Sequence, residues 1–184
     1  MNIIIVGNSP DLLEQKNGNL IDSFDYVLRM NHFETKGYEE YVGEKTDIYG
    51  VAWATPKKKD FELFSHVIYY TGQNNYYKRK RDSNVDVIRK SDYDLMNKEM
   101  KFNKESDQAS MGVSMIWYIV KYCSFCDIAI TGFDFFGLKH NHTDAGHYYS
   151  NKRYPYKRFL KHHNPQREME YVNNLIKQNK IKEL

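Results

Sequence analysis

No apolar run of 18 residues occurs anywhere in this chain of 184 residues, so no segment reads as a membrane-spanning helix. The opening Met1-Asn2-Ile3-Ile4-Ile5 has no basic stretch ahead of its apolar one. That reads against a signal peptide or an amino-terminal anchor, and a cytoplasmic location is the simplest expectation. An excess of one charge is also missing: 27 Lys and Arg against 24 Asp and Glu leave +3, too little to imply a nucleic-acid partner. Cysteine occurs only at Cys123 and Cys126. Their Cys-x-x-Cys spacing invites a redox or zinc reading, but the pair ends a helical pattern instead of opening one after an early strand. Only His140 and His142 stand near it as further zinc ligands. Buried free thiols with a packing role are the expectation. Internal repeats and low-complexity segments are absent, and the length favours one domain, 1–184, with a sizeable core.

The known phosphate loops are missing too. The first turn, Gly7-Asn8-Ser9-Pro10, has no Gly-Lys-Ser/Thr after it and no Gly-x-Gly-x-x-Gly pattern. What it does have is an apolar, β-branched run ahead of it (2–6), a glycine for a tight turn, a serine able to cap and a proline suited to a first helical position. Strand, polar turn and helix start in that order aim backbone N–H groups at an anion, although any first βα unit shows the same features. The reading continues with a helix closed by Asn17-Gly18-Asn19, a second strand over 25–30 and a short helical turn at 39–42. Strands follow over 48–52, 67–70 and 85–88, with a helix over 92–103. The second strand ends at Asn31, placed like Asn8 at the expected carboxyl edge of a sheet, where open α/β folds bind ligands.

Two further stretches carry chemistry. Ser110 precedes the longest apolar segment, 113–122, as a plausible N-cap, which makes a second anion cradle with Gly112 beside it. A core strand over 127–131 then ends in Gly132-Phe133-Asp134. From 140 to 163 the chain is dense in His, Tyr, Lys and Arg, and a last helix runs from Asn164-Pro165 to 182 with His163 just ahead of it. A histidine held at such a boundary can serve as a base. The basic turn 56–60 reads as a solvated face. The charged and aromatic stretch 73–81 reads as a surface loop more than a nucleic-acid groove, so no nucleic-acid partner is expected.

In order along the chain, these residues resemble the eukaryotic-type sialyltransferases. Val6-Gly7-Asn8-Ser9, Gly18, Ile21-Asp22, Arg29-Met30-Asn31, Gly37-Tyr38-Glu39 and Val42-Gly43-x-Lys45-Thr46 look like the large motif of glycosyltransferase family 29. Ser110-Met111-Gly112, Cys126-Asp127-Ile128 and Thr131-Gly132-Phe133 look like its small motif, His147-Tyr148-Tyr149 like the third, and His163-x-x-x-x-Glu168 like the last. The short length points to a small bacterial or viral member. The chain departs from the family in two places: Ile3 stands where secreted members carry the cysteine that pairs with the Cys126 position, and Met111 replaces a threonine.

The resemblance implies an α/β domain with a mainly parallel sheet, helices on both faces and a Rossmann-like core, a glycosyltransferase A-like variant. It implies inverting transfer of sialic acid from CMP-sialic acid to a glycan or glycolipid hydroxyl, with no metal and no cofactor beyond the donor. Transfer of another CMP-activated keto-acid sugar, such as Kdo, and a catalytically weak nucleotide-sugar-binding homologue are the alternatives. Gly7, Asn8, Ser9, Asn31, Ser110 and Gly112 would hold the nucleotide. His147 would stabilise the departing phosphate in its protonated form, and His163 would take the acceptor's proton. The basic surface at Lys152, Arg153, Lys157, Arg158 and Lys161 would face an anionic glycan, glycolipid or inner-leaflet membrane surface, or else only solvent. Oligomeric state is not legible in the sequence.

Overall fold

A computed structural model of the chain describes residues 1–52, 55, 59–71, 84–102, 107–140 and 144–184. The expected surface loop at 73–81, Lys57 and Lys58 of the 56–60 turn and His142 lie outside these. Seven strands form one sheet: β1 (Asn2–Val6), β2 (Tyr26–Met30), β3 (Ile48–Ala52), β4 (His66–Tyr70), β5 (Val85–Ile88), β6 (Asp127–Thr131) and, at the C-terminal end, β9 (Lys182–Glu183). Their order is β5-β4-β3-β2-β1-β6-β9, and every pairing is parallel. The chain therefore builds outward from β1 on one side, then returns to add β6 on the other. The crevice at that reversal, outside the strand carboxyl ends, is where such sheets take ligands.

Alternation along β1 explains the two covered faces. Ile3 and Ile5, with Leu28, Ile48 and Ile68, meet α3 (Lys90–Glu99), α4 (Met111–Tyr122) and α5 (Pro165–Lys177) through Met96, Met115, Trp117, Val172 and Leu175. Ile4 and Val6, with Val27 and Ala129, meet the opposite cover: a 3-10 turn (Pro10–Glu14), α1 (Gly18–Asp22) and α2 (Glu39–Val42). Both layers are apolar because a parallel sheet is buried on both faces. Trp117 is 1 % exposed and Met115 not at all, and each such side chain contributes roughly 1.5–3 kcal/mol by leaving water. The expected α/β class with helices on both faces is what the chain adopts. Among the described residues no helix is long and apolar enough to cross a membrane.

Four local expectations are corrected. Asn17-Gly18-Asn19 does not end a helix; Gly18 begins α1. A Cβ on Gly18 would stand 1.9 Å from the Glu39 carbonyl oxygen, so the glycine serves the close packing of α1 on α2. The preceding element is a single 3-10 turn with Ser9 as its cap, accepting from Asp11 N–H. The last helix stops at Lys177, because Lys182 and Glu183 pair with β6 as an edge strand. Finally, Cys123 and Cys126 are joined in a disulfide and not free thiols: the turn after α4 brings their Cα atoms to 5.6 Å.

Much of the stretch 22–46 proves architectural. Arg29, 1 % exposed, donates to the carbonyls of Val42 and Lys45 and to Thr46 Oγ1, and its guanidinium pins the 42–46 turn. Burial lowers its pKa to about 10, still charged at neutral pH. Asp22 accepts from the N–H groups of Glu44 and Lys45, across Gly43 at φ 72.

Candidate active site

At the crevice lies a cavity of about 400 Å³. Gly7, Asn8, Ser9, Asn31, Ser110, Gly112, His147 and His163 all line it. Residues separated by up to 156 positions are thus brought to one place. Its floor is the contact between the β1 and β6 ends. Gly7 N–H donates to the Thr131 carbonyl at 2.8 Å and Ser9 N–H to that of Gly132 at 3.1 Å. A Cβ on Gly7 would sit 2.0 Å from the Gly132 oxygen, backbone that cannot step aside. Gly7→Ala is therefore expected to cost roughly 3 kcal/mol or more and to spoil the cavity floor. A thermal unfolding scan of the variant checks this, and a wild-type Tm would contradict it.

Asn8 donates from Nδ2 to the Met30 carbonyl at 3.3 Å, so the ends of β1 and β2 are tied side by side. Asn31 adopts the left-handed conformation, φ 54, as asparagine does more readily than most residues. Its Oδ1 accepts from Thr55 Oγ1 at 2.9 Å, which leaves its NH2 as the half that can donate to a ligand.

The α4 end differs from the simple anion cradle that the sequence pattern implied. Glu168, on the first turn of α5, is fully buried and accepts from Ser110 N–H at 2.9 Å and Ser110 Oγ at 2.6 Å. Ser110 Oγ also caps Val113 N–H. A carboxylate of the protein already takes the Ser110 donors. The N–H groups of Met111 and Gly112, with no acceptor among the described residues, are those left at the positive end of a 12-residue helix. Glycine at 112 fits a crowded spot: a Cβ would lie 2.8 Å from Phe133 Cε1.

His163 is held on three sides. Its N–H bonds to the Phe159 carbonyl, and its ring stacks on Phe136 with centroids 5.3 Å apart. Its Nδ1 lies 2.9 Å from the Gln108 carbonyl oxygen. A carbonyl only accepts, so Nδ1 carries the proton and Nε2 keeps the lone pair. Burial, against that hydrogen bond, lowers the ring's pKa from 6.5, so it is neutral at physiological pH. Glu168 lies 3.9 Å from Nδ1, and the buried Asp107 accepts from Asn164 Nδ2 next door.

His147 reaches the cavity on a strapped loop. Tyr148 N–H donates to the Asn8 carbonyl, and the hydroxyls of Tyr148 and Tyr149 donate to the carbonyls of Glu34 and His32. Burial lowers the His147 pKa, with the Asn8 carbonyl and Asp134 opposing. The protonated state expected of it is therefore not its resting state. Asp134 is a cavity residue that the pattern reading did not single out. Burial raises its pKa, and its Oδ1 accepts from Phe136 N–H. Its place two residues after Gly132, just past the end of β6, was the available signal. Among the described residues no group of three or more His, Cys, Asp and Glu could hold a metal ion.

Comparison with known proteins bears on this geometry. The family model "Glycosyltransferase family 29 (sialyltransferase)" matches residues 2–76. A sialyltransferase-like protein 2 of Arabidopsis thaliana is 52% identical over 42 residues, 23% of this chain and 10% of that protein. A CMP-N-acetylneuraminate-beta-galactosamide-alpha-2,3-sialyltransferase 1 of Gallus gallus is 55% identical over 42 residues, 23% of this chain and 12% of that protein. A beta-1,6-galactosyltransferase of Arabidopsis thaliana is 46% identical over 44 residues, 24% of this chain and 11% of that protein. Each match thus spans only about a tenth of the relative's length. A mammalian sialyltransferase solved in complex with Gal-beta-1-3GalNAc-ortho-nitrophenol superposes with a TM-score of 0.70 at 21% identity, over 100% of this chain and 68% of that one. The placement among small bacterial or viral members is corrected, since the likeness runs to plant, bird and mammalian sialyltransferases. The family-29 sequence pattern is carried by residues 2–76, and the whole chain has the fold of a sialyltransferase.

Proposed function

We propose that this chain is an inverting glycosyltransferase that moves sialic acid from CMP-sialic acid to a glycan hydroxyl without a metal. The observation that carries the reading is the meeting of a tautomer-fixed histidine with a helix N-terminus in one cavity. The acceptor hydroxyl oxygen attacks the anomeric carbon of the donor, and the bond from that carbon to the phosphate oxygen breaks. The hydroxyl proton passes to His163 Nε2, and CMP leaves with its charge facing Asn31, His147 and the N–H groups of Met111 and Gly112. One base and a neutralised leaving group suffice for a single displacement, unlike the paired carboxylates of glycosidases.

Calorimetry with EDTA present tests the donor site. CMP is expected to bind and UMP to bind much more weakly; equal affinities, or no CMP binding until metal is added, would overturn the reading. A transfer assay offering CMP-sialic acid, CMP-Kdo and UDP-galactose then identifies the sugar. The state of His147 gives a further prediction. Burial keeps the free ring neutral, and an anion beside it favours the charged form. CMP binding is expected to take up a proton near neutral pH and to tighten as pH falls. Apparent enthalpies in buffers of different ionisation heat measure that uptake, and His147→Asn should abolish it.

A further inference from the structure

Between Asp144 and Glu168 the chain has no Asp or Glu, while Lys152, Arg153, Lys157, Arg158, Lys161 and Arg167 all fall there. This stretch includes a short hairpin, β7 (Asp144–Gly146) with β8 (Arg153–Pro155), and a 3-10 segment, Tyr156–Lys161, leading to His163. The stretch therefore crosses the His163 side of the cavity, and Tyr154, Arg158 and Phe159 line it. Phe159 stacks on Phe136 at 4.5 Å between centroids, and Phe136 stacks in turn on the His163 ring. Tyr154 meets Phe159 edge to face, and the Arg158 guanidinium lies over the Tyr154 ring at 4.4 Å. An aromatic wall thus runs from the base outward and ends in a cation.

Arg167 is paired with Glu170, but among the described residues Arg158 forms no ion pair. The acids that share its cavity are committed elsewhere, Glu168 to Ser110 and Asp134 to Phe136 N–H. On the transferase reading the donor phosphate takes the N–H groups at the α4 end and His147, which leaves Arg158 for another group.

Resting on the transferase reading, we propose that the acceptor is an anionic glycan. Its sugar ring packs on the Tyr154–Phe159 wall, and its carboxylate or sulfate docks on Arg158. A planar guanidinium braced on an aromatic face suits bidentate capture of such a group, and the surrounding lysines add steering. The same acid-free stretch, taken as a membrane-facing surface, would need no cation on the cavity lining, and Arg158 lines the cavity.

Lactose, a sulfated lactose and sialyllactose serve as acceptors with saturating CMP-sialic acid. The anionic pair is expected to show kcat/KM about tenfold or more above lactose at low salt, converging as salt rises. Arg158→Ala should raise the KM for the anionic acceptors about tenfold with little change in kcat, and Arg158→Lys should fall between. Binding of sialyllactose to the CMP-saturated protein, read by calorimetry, should weaken in parallel. Lactose turned over as well as its anionic counterparts would overturn the proposal while leaving the transferase intact. So would an Arg158→Ala variant that weakens CMP-sialic acid and leaves acceptor KM alone, since the arginine would then serve the donor. A protein that binds no CMP would instead remove the reading beneath it.

Discussion

Replacing His163 by alanine is expected to lower turnover by about 10²–10⁴-fold, the usual worth of a positioned general base, while CMP binding persists. The argument is geometric. The Gln108 carbonyl fixes Nδ1 as the protonated nitrogen, so Nε2 alone is basic. Stacking on Phe136 and the backbone bond to Phe159 stop the ring from swinging away. Only the neutral ring can accept a proton. Burial holds its pKa below 6.5, so the acid limb of the kcat/KM profile should lie below that value and vanish in His163→Ala. His162 is the control. It is exposed, and its carbonyl, not its ring, bonds to Gln108 N–H. His162→Ala should therefore stay within a few-fold of wild type. A reversed outcome would place the base one residue earlier; no loss in either variant would end the displacement mechanism drawn above.

Glu168→Ala should damage the protein itself. The substitution strands the half-buried Ser110 N–H and hydroxyl, each costing up to about 1–3 kcal/mol when left without an acceptor, and opens a void beneath α5. A fall in Tm of roughly 5–15 °C is expected for a chain of this size. Glu168→Gln keeps one acceptor and reverses the other bond, so it should fold. It also isolates a pH effect. Burial pushes the Glu168 carboxyl up to about 7 from an ordinary 4.5. Between those values the folded protein holds a proton that the unfolded chain has released. That part of the stability is whole below 4.5 and lost as pH rises through 7, on the order of 3 kcal/mol across the window. His163 and His147 act in the opposite sense. Burial lowers both, so their part is whole above 6.5 and lost as pH falls through their depressed values. Tm measured against pH should therefore decline on both sides, and Glu168→Gln should flatten only the alkaline one. An unchanged alkaline decline would show that Glu168 is not the group responsible.

What could be read in advance followed local physics. Apolar β-branched runs gave β1, β3, β4 and β6, and the turn chemistry at Gly7 and Ser110 marked two edges of the cavity. Gly18 misled because a glycine needed for helix packing and one needed to stop a helix look the same in one dimension. The role of Glu168 was hidden for a related reason. Its partner is 58 residues away, and a glutamate in a first helical turn ordinarily faces water. His147 lines the cavity, but its resting charge depends on burial, which no spacing reveals. The outer strands β7, β8 and β9, only two or three residues each, have too little pattern to show.

The order of synthesis gives the parallel sheet a further meaning. β1 leaves the ribosome first, yet one of its two edges pairs with β6, whose Asp127 lies opposite Asn2. At about 5–20 residues per second that edge waits on the order of 10 s for its partner, apolar on both faces throughout. β2 to β5 can add in turn on the other side during that interval. His163 arrives later still, on the segment that also supplies the Glu168 clasp. A nascent chain therefore has β1 to β5 in place well before the His163 side of the cavity is built, with an apolar sheet edge open in between.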